Sequence, residues 1–236
     1  VAYMKSGQIY YVSKAIGGVS WSAPLDISNV AGYNTQQYPI IVADSSGNLH
    51  AAWFGTDAAY TNFQVKYAKR AAGGSTWTGW TNIQAIPQAP QEWPSLAVDA
   101  LDNVYAVWEG SDTVSPTRNI KLSKYSGGSW SSWINLSSGT GHQAYANLRW
   151  APYRNNDGYL NVVWTDNTGG SSLVRFYGDP ATPMSHGFPT QLETFDRADN
   201  CTVGNGWSEL ESLATLCIAT NKLSYTKAGE PNYGFI

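Results

Sequence analysis

A pattern of short apolar runs, turns and tryptophans returns along this chain at a spacing of 55 to 56 residues. The segment Tyr38-Pro39-Ile40-Ile41-Val42-Ala43-Asp44, followed by a Ser-Ser-Gly-Asn turn and Leu49-His50-Ala51-Ala52-Trp53, comes back as Trp93-Pro94-Ser95-Leu96-Ala97-Val98-Asp99, a turn ending at Asn103, and Val104-Tyr105-Ala106-Val107-Trp108. A third copy runs from Tyr145 through Asn155-Asn156-Asp157-Gly158 to Leu160-Asn161-Val162-Val163-Trp164, with four extra residues in its first half. Behind these tryptophans, Val65-Lys66-Tyr67-Ala68-Lys69 matches Ile120-Lys121-Leu122-Ser123-Lys124 and the earlier Ile9-Tyr10-Tyr11-Val12-Ser13-Lys14. Each is followed by a Gly-Gly pair and a tryptophan: Gly17-Gly18 with Trp21, Gly73-Gly74 with Trp77, Gly127-Gly128 with Trp130.

Each repeat thus holds four runs rich in Val, Ile, Tyr and Trp, separated by Gly, Asn, Asp and Ser, the signature of a four-stranded meander. A single sheet of this kind has two apolar faces and cannot bury both, so copies must stack face to face around an axis. The sequence therefore predicts an all-β fold: a partial β-propeller of four-stranded antiparallel blades, about 52–56 residues per repeat. Val1 enters at the second strand of a partial blade, two whole blades follow, and most of a fourth brings the count to about three and a half. Fewer than four blades cannot close a ring, so further blades, or other chains, are expected as partners.

Composition narrows the function classes. With 14 basic residues scattered among 17 acidic ones, and no basic run, the chain offers no phosphate-neutralising cluster, which excludes nucleic acid as a partner. Its apolar stretches are too short to span a membrane. Its three histidines are not clustered, so no metal and no cofactor is expected. Val1 follows no initiator Met or signal segment, which reads as a fragment or processed chain. Cys201 and Cys217 could pair or stay as buried thiols.

The strand-turn-strand pieces Ile9 to Pro24 and Val65 to Trp77 resemble the Asp-box repeats of sialidase-like propellers, whose pattern is Ser-x-Asp-x-Gly-x-x-Trp. Ala15 and Ala71 stand about where the box Asp would fall, so the repeats are degenerate. The resemblance covers residues 1 to about 180. It implies a propeller in which that Asp would be structural, on the face opposite the active site. From about Phe188 the repeat stops. Leu192-Glu193-Thr194-Phe195-Asp196-Arg197-Ala198-Asp199, followed by Gly204-Asn205-Gly206-Trp207, resembles the opening of concanavalin-like (laminin-G-like) jelly rolls. The implied division is residues 1–187 as incomplete propeller and 188–236 as the beginning of a second, lectin-like β-sandwich.

The tight turns carry Asp and Asn at matching positions, which turn formation explains. The longer loops of the other face hold Asp57, Tyr60, Glu92, Asp112, Arg118 and His142, along with Asp166, all polar and, on this reading, none demanded by the blade repeat. Those first six are the candidate ligand-binding residues, with no catalytic residue assigned. Repeating Trp53, Trp108 and Trp164, and Trp21, Trp77 and Trp130, are expected to pack between blades. Trp93, with Tyr38 and Tyr145 at equivalent places, begins the innermost strand, where core packing is the favoured reading over a ring at the channel mouth.

The functional expectation is a non-catalytic recognition or adhesion module that binds glycans or a surface polymer, displayed extracellularly or on a virion. A sialidase-type hydrolase is the first rival; it would need three converging arginines, a Tyr–Glu pair and an Asp, which the six arginines here do not assemble. A structural fibre or coat component is the second.

Overall fold

In the computed structural model, the residues described are 1–152, 158–170, 172–180, 214–219, 222–227 and 233–234. The first blade has three strands, β1 (Ala2–Lys5), β2 (Gln8–Tyr11) and β3 (Leu25–Asp26), in that order. The second is a four-stranded meander, β4 (Gln37–Ala43), β5 (Leu49–Gly55), β6 (Gln64–Arg70) and β7 (Thr81–Asn82). In the third, β8 (Gln91–Val98), β9 (Val104–Gly110) and β10 (Asn119–Ser126) are followed by an outer strand in two pieces, β11 (Ser129–Trp130) and β12 (Ile134–Asn135), both paired with β10. The fourth comprises β13 (Gln143–Pro152), β14 (Gly158–Asp166) and β15 (Leu173–Pro180). All pairing is antiparallel, so the chain is a partial β-propeller. β1 occupies the place of a second strand: Ala2 lies opposite Tyr11 as Ala52 lies opposite Tyr67.

The seams between blades are the core. Ile9, Tyr11 and Ile27 pack on Ala51, Trp53 and Ala68; Val65, Tyr67 and Ile83 on Leu96, Ala106 and Trp108; Ile120 and Leu122 on Leu148, Val162 and Trp164. The three tryptophans expected at equivalent positions are 0%, 1% and 2% exposed for Trp53, Trp108 and Trp164. A buried indole N–H needs an acceptor. In each blade a buried glutamine at the start of the first strand supplies it: Trp53 donates to Gln36 Oε1 (3.0 Å), Trp108 to Gln91 (2.9 Å), Trp164 to Gln143 (2.7 Å). The same glutamines tie blade to blade, their backbone N–H groups donating to Gly7, Phe63 and Arg118 carbonyls of the preceding blade. Gly55 and Gly110 end the second strands because a Cβ there would collide with the Gln36 or Gln91 amide.

Trp21 departs from the expectation of inter-blade packing, being 55% exposed. Its counterpart Trp77 packs edge-on against Tyr11 of the preceding blade, and Trp130 against Tyr67. Among the described residues, no blade precedes the first to cover Trp21.

The tight turns close as their Asp and Asn residues suggested. Asn48 donates through N–H and Nδ2 to Asp44 (2.8 and 2.7 Å), and Asn103 does the same to Asp99 (2.9 and 2.7 Å). Where the box Asp is lacking, the turns close through backbone bonds, Gly18 N–H to Ala15 O and Gly74 N–H to Ala71 O, both 3.0 Å, and Asn48 Oδ1 also accepts the Ala72 N–H at 3.0 Å.

Past the blades, β16 (Ala214–Ala219), β17 (Lys222–Lys227) and β18 (Tyr233–Gly234) form a separate antiparallel sheet. The expected boundary at 187/188, the Phe195–Asp199 motif and Cys201 lie outside the described residues, and Cys217 falls on β16.

Candidate functional site

The rim where first strands begin and second strands end carries the unexplained chemistry. Each innermost strand starts with a β-bulge, marked by register breaks between Gln37 and Ile40, Glu92 and Ser95, and Ala144 and Asn147. Inside each bulge one aromatic residue adopts left-handed backbone: Tyr38 (φ 49°), Trp93 (φ 56°) and Tyr145 (φ 57°). A bulky residue there is strained, and a bulge re-aims its side chain off the sheet's alternation. The three rings stand side by side, Tyr38 to Trp93 at 4.0 Å between centroids and Trp93 to Tyr145 at 5.8 Å. Phe54 backs the first two, 5.6 Å from Tyr38 and 5.7 Å from Trp93. Core packing does not account for Tyr38 and Tyr145, which are 52% and 66% exposed, while Trp93 between them is partly buried. They form an aromatic arc across three blades.

Beside the arc the third blade departs from the repeat. Where the second blade has Gln37, Phe54 and Phe63, the third has Glu92, Glu109 and Arg118. Glu92 and Glu109 sit opposite one another across β8 and β9, and Arg118 Nη1 bridges both, at 2.5 Å from Glu109 Oε1 and also paired with Glu92 Oε2. Glu109 Oε2 accepts the Tyr145 N–H at 3.0 Å, so this carboxylate fixes the fourth blade's bulge. Burial pushes the Glu109 carboxyl up, with the Glu92 charge adding to that, against the Tyr145 N–H and Arg118, which favour ionisation. With both carboxylates ionised, the cluster carries one net negative charge.

The candidate residues therefore separate. Glu92 and Arg118 meet in this cluster. Asp57 and Asp112 are instead products of the repeat, which corrects the premise that the blade does not call for them. Asp57 accepts the Ala59 and Tyr60 N–H groups and pairs with fully buried Lys66, which also donates to Asn82 (3.0 Å) beneath the Trp80 ring (4.1 Å). Asp112 repeats the set with Val114, Ser115, Lys121 (2.5 Å), Asn135 (2.8 Å) and Trp133 (3.9 Å). Asp166 pairs with Arg175 at 2.8 Å in the fourth blade. Burial would raise these carboxyls, but hydrogen bonds and the paired cations outweigh it and hold them low, Asp112 and Asp166 at about 2. A buried lysine needs its counter-ion in every blade that has one, and the spacing of 55 between Asp57 and Asp112, and between Lys66 and Lys121, records that.

Tyr60 is partly exposed and closes the Asp57 loop through its backbone. His142 is exposed, and its carbonyl accepts the Asn167 N–H at 2.9 Å. Neither touches the Glu92–Arg118–Glu109 cluster. Sequence reasoning groups Tyr38, Trp93 and Tyr145 but favours core packing for them, and it misses Glu109 although a signal exists: aligned on the tryptophans, Trp53-Phe54-Gly55 faces Trp108-Glu109-Gly110, a buried charge replacing an aromatic. Among the described residues no helix is long and apolar enough to cross a membrane.

No protein-family model matches the chain, and no curated protein matches it. Solved structures do. A protein of unknown function from Dyadobacter fermentans superposes over 99% of this chain with a TM-score of 0.56 at 11% identity, and this chain spans 65% of its length. A Penicillium chrysogenum alpha-L-arabinanase, determined with arabinobiose, aligns over 95% of this chain and 65% of its own at 12% identity and a TM-score of 0.49. A family 43 endo-arabinanase from Bacillus licheniformis aligns over 99% of this chain and 91% of its own, at 13% identity and a TM-score of 0.42. At such identities the likeness to the Dyadobacter protein is one of fold, and it agrees with the blade topology.

Proposed function

We propose that this chain is a glycan-recognition module whose rim binds sugar through the Tyr38–Trp93–Tyr145 arc. The observation that carries the reading is the repeated strain: three bulky aromatics held at positive φ in equivalent bulges, the outer two exposed to solvent and Trp93 between them partly so. Glycine would fill such positions more comfortably, so a ring retained there three times argues for what the ring does. Sugar faces stack on aromatic rings while carboxylates and guanidinium groups take their hydroxyls. In this reading Glu92 and Arg118 supply the polar contacts, Tyr60 and His142 flank them from neighbouring loops, and Asp57 and Asp112 hold those loops in shape. Display outside a cell or on a virion, a sialidase-like ancestry for the Gly-Gly-x-x-Trp hairpins and a lectin-like unit from residue 188 onward belong to the same proposal.

The test is a glycan-array screen followed by titration of the wild type against Trp93→Ala and a Tyr38→Ala/Tyr145→Ala double variant. Loss of binding with an unchanged melting curve supports the arc. Binding that survives loss of all three rings overturns it.

One observation favours a hydrolytic reading: Glu92 and Glu109 both reach a single Arg118 nitrogen, and burial favours the neutral form of Glu109, an arrangement suited to an acid beside a base. Release of reducing ends from a bound glycan, abolished by Glu109→Gln, would establish that reading in place of simple binding. A sialoside is a poor fit to either, because Arg118 is already engaged by two carboxylates.

A further inference from the structure

Away from the rim, a groove of about 400 Å³ opens at the seam between the first and second blades, lined by residues 25–29 and 75–80. That is within the roughly 300–1,000 Å³ usual for small-ligand sites. Its walls are mixed: the Trp77 and Trp80 rings, both only partly buried, face the Asp26–Ser28 turn.

The first blade breaks the repeat at this place. In the second and third blades the outer strand presents Asn82 or Asn135 to a buried lysine beneath Trp80 or Trp133. In the first blade the lysine's place is taken by Tyr10, the tryptophan's by Pro24 and the asparagine's by Asp26, which pairs with Tyr10 in the ladder. The carboxylate thus has no lysine. Its Oδ1 accepts the Ser28 N–H (3.0 Å) and the Asn29 N–H (2.8 Å), which lock it into an Asx turn, while the Ser28 hydroxyl lies 3.0 Å from it and nearer Gln8 Oε1, at 2.6 Å. Among the described residues Oδ2 accepts nothing. The Trp77 indole N–H is buried without an acceptor, as is that of its counterpart Trp130, so this orphaned donor belongs to the blade repeat and not to the groove.

We propose that this groove is a second saccharide site, separate from the rim, taking one residue of a neutral sugar with a vicinal diol. Asp26 Oδ2 accepts from the hydroxyls, and Trp77 and Trp80 form the apolar wall. A fixed, uncompensated carboxylate disfavours an acidic ligand, and two indole rings beside it match the alternation of hydroxyl edge and C–H face that a pyranose or furanose presents.

The experiment uses the whole chain with its 11 tryptophans labelled with 15N in the indole ring. Signals are assigned through Trp77→Phe and Trp80→Phe, and the probes are cellohexaose, xylohexaose, mannohexaose and arabinohexaose. Saturable movement of the Trp77 and Trp80 signals with at least one probe is expected. Asp26→Asn keeps the Oδ1 acceptor and should weaken that binding on the order of tenfold, as for losing a charged hydrogen-bond acceptor. Thr76→Trp, at an exposed lining position, should block it while the remaining indole signals report an intact fold. In Trp93→Ala the groove signals should still move, so failure of the rim and failure of the groove are told apart. Stationary Trp77 and Trp80 signals with every probe at millimolar concentration would overturn the proposal. So would shifts indifferent to both variants, or shifts that vanish with Trp93.

Discussion

Glu109 accepts the backbone N–H of Tyr145 at 3.0 Å, so a carboxylate at the end of β9 in the third blade holds the left-handed bulge that opens the fourth. The residues are 36 apart in sequence, and blade stacking brings them together. Glu109→Ala removes the acceptor and frees Arg118 from one of its two partners, and should cost about 1–3 kcal/mol, the range for orphaning a buried polar group. Glu109→Gln keeps an acceptor and should cost less. Urea unfolding of the two variants checks the order.

The sign of the pH dependence differs between sites. The folded carboxyl of Glu109 titrates above its unfolded value, so its contribution is present below the unfolded pKa and fades as pH rises through the folded one. Asp112 and Asp166 titrate at about 2, below their unfolded values near 3.8; their contribution is present above that value and is lost as pH falls toward 2. Melting temperature should therefore drop steeply between about pH 4 and 2. In Asp112→Asn that acid limb should be shallower, from a lower plateau, as thermal scans across the range would show.

The Asp112–Lys121 pair should behave as a unit. Asp112→Asn alone leaves a fully buried ammonium under Trp133, and breaking such a pair costs about 3–5 kcal/mol. Replacing both, as Asp112→Asn with Lys121→Met, should recover much of that loss. A double variant as unstable as the single would contradict the account.

Gly55→Ala and Gly110→Ala place a methyl group in the space of the Gln36 and Gln91 amides that receive Trp53 and Trp108. Each should destabilise by about 1–3 kcal/mol, as overpacking does. Loss of the downfield-shifted indole proton of the affected tryptophan would locate the damage.

Tyr145→Gly separates strain from purpose. Glycine relieves the positive φ but forfeits the contact with Trp93, so stability should stay within about 1 kcal/mol of wild type. Glycan binding should nevertheless fall. A large loss of stability would mean that the ring serves packing after all.

The repeat made the fold legible. Strand alternation, Gly and Asn turns and tryptophans 55 to 56 residues apart are local and periodic signals, and they point to stacked four-stranded blades, to β1 in the place of a second strand and to the burial of Trp53, Trp108 and Trp164. Periodicity also marks Asp57 and Asp112, which recur in step with Lys66 and Lys121, yet in sequence they look like free polar loop residues because their partners lie nine residues on, across a loop. Tertiary structure alone decided the rest. Nothing local marks Tyr38, Trp93 and Tyr145 as left-handed, since a bulge is defined against the neighbouring strand. The Glu92–Arg118–Glu109 cluster likewise exists only once three segments of a blade are in register, and its link to Tyr145 only once the next blade has packed. A rim built from strand ends of different blades is assembled by inter-blade burial, which acts on side chains far apart in sequence and leaves no short-range pattern behind.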